Sequence, residues 1–307
     1  MNKCTLYRTA LAMLASVALC APVAANDAIE IKVLATLPVT YGLGSILLEG
    51  SGVELVRAAP DSLPASRQPS YFSGRGAKSL DAAAGEADAV ITLRSLWAED
   101  PLYPLARRSN IRIVEIDAAR PVDGALPGIA LQPEVTDQLA SQPWLSINNL
   151  GRMADVMAAD LSRLVPADQS QIDSNLATLK RRLLQLSAES ESRLAQLDNI
   201  TVVSLTTDAA YLLSGLNMDV VQVATPEDGS WTSEQLAELS AELSSYDVVG
   251  VVLDREPDVA LGAAIAAGGS QVIILPETEG NPIEVLGAAI DQLINALAEN
   301  TDAAGNR

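Results

Sequence analysis

The side chains able to do chemistry in this sequence are few, and the missing ones narrow the field first. The 307 residues contain no histidine, and the two cysteines, Cys4 and Cys20, both fall within the first 25 positions. A Ser-His-Asp triad, a histidine general base and the usual zinc ligands are therefore excluded. Once the first 25 residues are removed, no disulfide and no thiolate nucleophile remain. What is left is carboxylates, amides, hydroxyls and guanidinium groups. Tyr71 and Phe72 stand together on a predicted loop of a chain with only 3% aromatic residues, which suits a role in a binding cleft. Arg67, Arg75 and Arg94 fall on predicted loops or strand ends. A guanidinium cluster there would suit a carboxylate or phosphate, although arginine on an acidic protein ordinarily sits in solvent. Asp254-Arg255-Glu256 reads as a solvated ion pair at a strand end. Gly42-Leu43-Gly44 lacks the third glycine of a dinucleotide loop, and Gly74 to Ser79 lacks the glycine before the lysine of a phosphate loop. None of this describes an enzyme.

The elements that must position these groups alternate. Ile29 to Thr36, Val53 to Ala58, Ala87 to Leu93 and Ile111 to Ile116 read as strands, with a helical stretch after the first and another at Ala77 to Gly85. Pro60 to Gly76 reads as loop. The middle of the chain is helical. Leu150, Met153, Met157, Leu161 and Leu164 form one amphipathic stripe, ended by Pro166. From Asp168 to about Leu197 a second stripe, Ile172, Leu176, Leu179, Leu183 and Leu186, predicts a single rod of roughly 45 Å, with Lys180, Arg181 and Arg182 facing water. Asp168 and Gln171 have capping-box spacing. Strands at Thr201–Leu205, Val220–Val223, Asp247–Leu253 and Gln271–Leu275 then alternate with helices at Trp231–Leu243, Pro257–Ala267 and Ile283–Ala298. The fold class is α/β: two lobes with parallel sheets flanked by helices, joined by one long helix. The boundaries read as signal peptide 1–25, first lobe 26–166, linking helix 167–198, second lobe 199–300 and tail 301–307.

The leader has Lys3 and Arg8, an apolar run from Ala10 to Leu19 and small residues at Val23-Ala24-Ala25, the pattern of a cleaved secretory signal. Leu19 before Cys20 is a poor lipidation site. The net charge of −19 for the whole chain becomes about −21 without the leader, at reference pKa values. Such a charge disfavours nucleic acid and anionic membranes and keeps an exported protein soluble.

Four segments resemble the periplasmic solute-binding proteins of zinc/manganese ABC transporters, the clade whose lobes are bridged by one long helix. Ile31 to Pro38 (IKVLATLP) is similar to the family's opening strand. Leu80 to Ile91 (LDAAAGEADAVI) resembles its "ALAEADLVI" unit. Gln142-Pro143-Trp144-Leu145 resembles its "HVWLDP" box, and Val203 to Ala209 followed by Tyr211 resembles its "TSHDAF" strand end. The resemblance implies a two-lobed receptor, an ABC permease partner in the inner membrane, a monomer in the periplasm and no catalysis. It also implies where metal ligands would stand: the segment Tyr71, Phe72 and Arg75, then Gln142, then Thr207 beside Asp208, and an acid within Glu279 to Glu284. At these places an aromatic, an amide and a hydroxyl replace histidines. At best Asp208, Glu279 and Glu284 remain as metal-binding carboxylates, so no cofactor and no tight zinc binding are expected. The function implied is an importer's substrate-binding component with altered or lost metal specificity. The alternative is a non-transporting accessory or interaction protein on the same scaffold.

Overall fold

The computed structural model describes residues 31–305 except 134, 136, 227, 228 and 277–279. The leader, and the expectations of its cleavage, lie outside the described residues. The first sheet holds β1 (Ile31–Ala35), β2 (Val53–Arg57), β3 (Ala89–Thr92) and β4 (Val114–Asp117) in the order β2-β1-β3-β4, every pair parallel. The second holds β5 (Thr201–Ser204), β6 (Asp219–Val221), β7 (Gly250–Leu253) and β8 (Gln271–Ile274) in the order β6-β5-β7-β8, again parallel. The two-lobed α/β expectation is met, and each lobe repeats the same winding.

Between the sheets run α5 (Ile147–Leu164) and α6 (Gln169–Leu194), 26 residues without a break. Ile172, Leu179 and Leu183 of α6 are buried, as the apolar spacing predicts, and Lys180, Arg181 and Arg182 are exposed. Each such buried aliphatic side chain contributes roughly 1.5–3 kcal/mol. One core cluster takes in Val33, Ile91, Met153, Met157, Leu179, Val202 and Leu293, running from the first sheet past α5 and α6 to the second. Polar ties fasten both ends of the rod. Asn175 donates to Leu47 and Glu49 carbonyls (3.0 and 2.8 Å), while Arg193 reaches Asp291 and Asn295 on α10 (Pro282–Gly305). Asp168 does not cap α6 with its side chain as its spacing suggested. Its carboxylate instead accepts the Gly52 N–H at 3.0 Å, and Gln171 donates to Asn175.

Three further differences have local causes. The predicted loop from Pro60 to Gly76 contains a 3₁₀ turn, Ala65–Arg67, and α2 (Gln68–Ser73), with Pro69 in its first turn, where a missing N–H costs nothing. The unpredicted α4 (Leu102–Ser109) covers the first sheet with Leu102 and Ala106. The predicted tail is helical as far as Gly305. The glycine pair has a packing role. A Cβ on Gly42 of α1 (Pro38–Leu47) would lie 2.6 Å from Pro282 Cδ and 2.9 Å from the Gly280 carbonyl, so a glycine is what lets α1 meet the start of α10.

Candidate functional site

The carboxyl ends of neighbouring parallel strands, where crossovers leave in opposite directions, are where open α/β sheets bind ligands. In the second lobe that position lies between β5 and β7. Asp208 follows β5 and Asp254 follows β7. Gln142 reaches the same place from the segment that leads into the 3₁₀ turn Pro143–Leu145 and α5. The three line a cavity of about 50 Å³, walled by Leu145, Leu275 and Val285.

The geometry of this corner is polar but weakly joined. Gln142 Nε2 donates to Asp208 Oδ2 at 3.4 Å, and Thr207 Oγ1 donates to Asp208 Oδ1 at 3.5 Å. Gln142 Oε1 is buried without a hydrogen-bond partner. Burial pushes the Asp208 carboxyl above its usual range, and the nearby Asp254 and Asp137 charges push the same way, while the Gln142 and Thr207 bonds pull it back. Gln142 itself sits in the left-handed region, φ 52° and ψ 66°. For a residue with a Cβ this costs on the order of 1–3 kcal/mol, and it persists only where the surroundings dictate it.

Those surroundings are a polar strap across the lobes. Tyr211 of α7 (Ala210–Gly215) accepts the Gln132 N–H at 2.8 Å and donates to Gln138 Oε1. Gln138 Nε2 in turn donates to the Gln132 and Val135 carbonyls, both at 2.8 Å. On the other side Asn149, buried on α5, exchanges hydrogen bonds with Ala130 (2.8 and 2.9 Å) and donates to the Pro143 carbonyl at 3.1 Å. Ala130, Gln132 and Gln138 are thereby tied to the two lobes, which aims Gln142 at Asp208.

Of the residues singled out in the sequence, Gln142, Thr207 and Asp208 come together. Phe72 does not join them. It is 2% exposed and packs with Leu34, Leu80 and Val90 on the outer face of the first sheet, because pleat alternation sends Val33 and Ile91 to the inner face. Tyr71 stacks edge-on against Phe72, and exposed Arg75 lies over the Tyr71 ring, 5.2 Å from its centroid. Glu284 is exposed in the first turn of α10, where its N–H meets Asn281 Oδ1; Val285 and Ala289, not Glu284, line the cavity. Glu279 lies outside the described residues. Arg94 is engaged by Glu115 at 3.0 Å, and Arg67 is exposed. Asp254 and the Gln132–Gln138–Tyr211 strap were not identified as site residues. The acidic tip after the β7 strand was the one signal for Asp254. Among the described residues no three carboxylate or other metal-binding side chains converge, and the corner offers two carboxylates and an amide where zinc takes four nitrogen, sulfur or carboxylate donors.

The fold is a pair of parallel α/β lobes bridged by one long helix. The chain belongs to the family of the periplasmic zinc-uptake complex component A, whose model matches residues 82–304. No curated protein is significantly similar in sequence. Among solved structures, a mutant of FpvC from Pseudomonas aeruginosa superposes with a TM-score of 0.68 at 20% identity over 88% of this chain and 100% of that one. A ZnuA crystal structure gives 0.64 at 20% identity over 87% and 99%. A mutant laminin-binding adhesin (Lmb) from Streptococcus agalactiae gives 0.62 at 19% over 87% and 99%. FpvC is also solved with Ni²⁺ and with Mn²⁺. At these identities the likeness speaks to the fold. Among the described residues no helix is long and apolar enough to cross a membrane.

Proposed function

We propose that the chain is the exported, monomeric substrate-binding component of an ABC-type importer, working with an inner-membrane permease, and that its cleft has exchanged the zinc site of its family for an oxygen-only corner. The observation that carries this reading is the Gln142–Asp208 pair: an amide bonded to a half-buried carboxylate at 3.4 Å in a cavity of about 50 Å³. An amide oxygen and a hydroxyl compete poorly with water for zinc, and two carboxylates alone leave the ion under-coordinated. An oxygen-preferring ion such as manganese or calcium is the solute such donors tolerate best, and a proton on Asp208 competes with it. The small cavity and the amide–carboxylate bond also favour a second reading, an accessory protein that keeps the scaffold and takes no solute.

Calorimetry on chelator-treated protein at physiological salt separates these. The proposal expects no saturable one-to-one zinc event below micromolar concentration, and manganese or calcium binding that Asp208→Ala removes. Submicromolar zinc binding lost in Asp208→Ala contradicts it. No saturable binding of any of the three ions selects the accessory reading.

A further inference from the structure

A second and larger cavity, about 440 Å³, opens on the opposite side of the β7 strand end and is built by the second lobe alone. Its lining is mostly polar, with one apolar patch. Leu205, Leu261 and the indole of Trp231 line it, and Trp231 packs part-buried against the cluster of Val203, Val251 and Leu253 on the outer face of the second sheet. Its rim carries both signs of charge: Arg255 stands between Asp254 and Glu256. The sequence suggested that these three neutralise one another. They do not, for Arg255, Asp254 and Glu256 are all exposed and none makes an ion pair with a described residue. Arg255 is also the only cation between residues 199 and 299, a stretch with sixteen carboxylates.

We propose that this cavity is a second binding site, and that its ligand is a free α-amino acid or a close zwitterionic relative. Three constraints select that chemistry. The strongly negative lobe repels a simple anion before it arrives. Arg255, unpaired at the rim, is the group suited to hold a carboxylate through its fork of donors, and it would be wasted on a simple cation. Asp254 and Glu256, with no cation of their own, accept an ammonium. A zwitterion satisfies all three at once, with its side chain laid on Trp231 and the leucines, and its net neutrality escapes the field of the lobe. The cavity lies at the carboxyl edge of a parallel sheet beside its switch point and has room for a molecule of that size, the position where such folds take small ligands. This site needs no metal, and it shares only Asp254 with the corner at Gln142 and Asp208.

The test uses the full exported chain after chelation, so that its outcome is independent of any metal. Each of the twenty proteinogenic amino acids is titrated singly by calorimetry at low millimolar concentration. At least one is expected to bind saturably with one-to-one stoichiometry. Its carboxamide, which lacks the carboxylate, and its N-acetyl form, which lacks the ammonium, should each bind at least tenfold more weakly. Arg255→Gln should weaken binding at least tenfold while leaving the thermal midpoint of the free protein unchanged; Trp231→Ala, which also loses packing against the outer-face cluster, should weaken binding at least tenfold in protein shown to be folded at the titration temperature. The proposal is overturned if none of the twenty binds, if the carboxamide binds as well as the parent, or if neither variant changes the affinity.

Discussion

The two lobes share one strand order and one direction of winding, yet they treat charge in opposite ways. Residues 31–146 carry ten cations against thirteen carboxylates, and three of those cations are ion-paired there: Lys32 with Glu54 and Glu86 (3.1 and 2.9 Å), Arg57 with Asp61 (3.2 Å), Arg94 with Glu115 (3.0 Å). At the carboxyl ends of β3 and β4 the first sheet is bridged by its own polar groups, while a cavity of about 330 Å³ lined by Pro38, Tyr41 and Arg57 opens beyond β1 and β2. Thr92 bonds Glu115 and Ser95 bonds Asp117. In residues 199–299 sixteen carboxylates face one arginine, and the corresponding edge is left open, with Asp208 and Asp254 facing cavities. The lesson is that apolar patterning fixes the winding of both lobes, while charge is distributed independently of it and leaves the second lobe with a large excess of carboxylates.

That contrast can be broken from the core outward. The largest effect is expected from the element both lobes share. Leu179→Ala in α6 removes a side chain that is 1% exposed in the cluster spanning both sheets and should cost about 2–5 kcal/mol. Urea unfolding followed separately in each lobe should show both weakened together; loss confined to one lobe would deny α6 its bridging role. Next comes the seam. Gly42→Ala places a methyl 2.6 Å from Pro282 Cδ and 2.9 Å from a backbone carbonyl, and should destabilise by about 1–3 kcal/mol. A neutral result in the same unfolding experiment would show that α1 and α10 part easily.

A pH effect belongs to the first lobe. Asp100 is 1% exposed, accepts the Leu93 and Leu102 N–H groups, and is pushed up to about 6, chiefly by burial. The folded state therefore holds the proton more tightly than the unfolded chain, whose carboxyl titrates near 3.8. Stability from this group is present below about pH 4 and is lost as the pH rises through about 6, a change on the order of 2–3 kcal/mol. Asp100→Asn should flatten the urea midpoint across that window relative to the parent protein, and an unchanged profile would refute the assignment. The smallest effect belongs to the second lobe. Screening its uncompensated carboxylates with 0.5 M salt should slow hydrogen exchange there, and less so in the first lobe, by several tenths of a kcal/mol.

How much of this could be read from the amino acids follows physical lines. The strands and α6 were legible because β-branched runs and a leucine stripe are local signals. The helices α2 and α4 were not, since Pro69 and Pro104 mask short helices whose stability comes from packing under the first sheet. Gln142 and Asp208 are 66 residues apart and were linked only through resemblance to a family. The strap that aims Gln142 is longer still in sequence, 79 residues from Gln132 to Tyr211, and side-chain hydrogen bonds across such distances leave no local trace. Phe72 misled because an aromatic in a polar stretch reads as exposed until the pleat assigns it a face.

The central proposal is that the corner at Gln142, Asp208 and Asp254 does not hold zinc. It is tested most directly by elemental analysis of the protein purified without affinity tags or chelators from zinc-supplemented cells. The account predicts zinc far below one atom per chain, unchanged in Asp208→Ala. One zinc per chain, lost in Asp208→Ala, would contradict it.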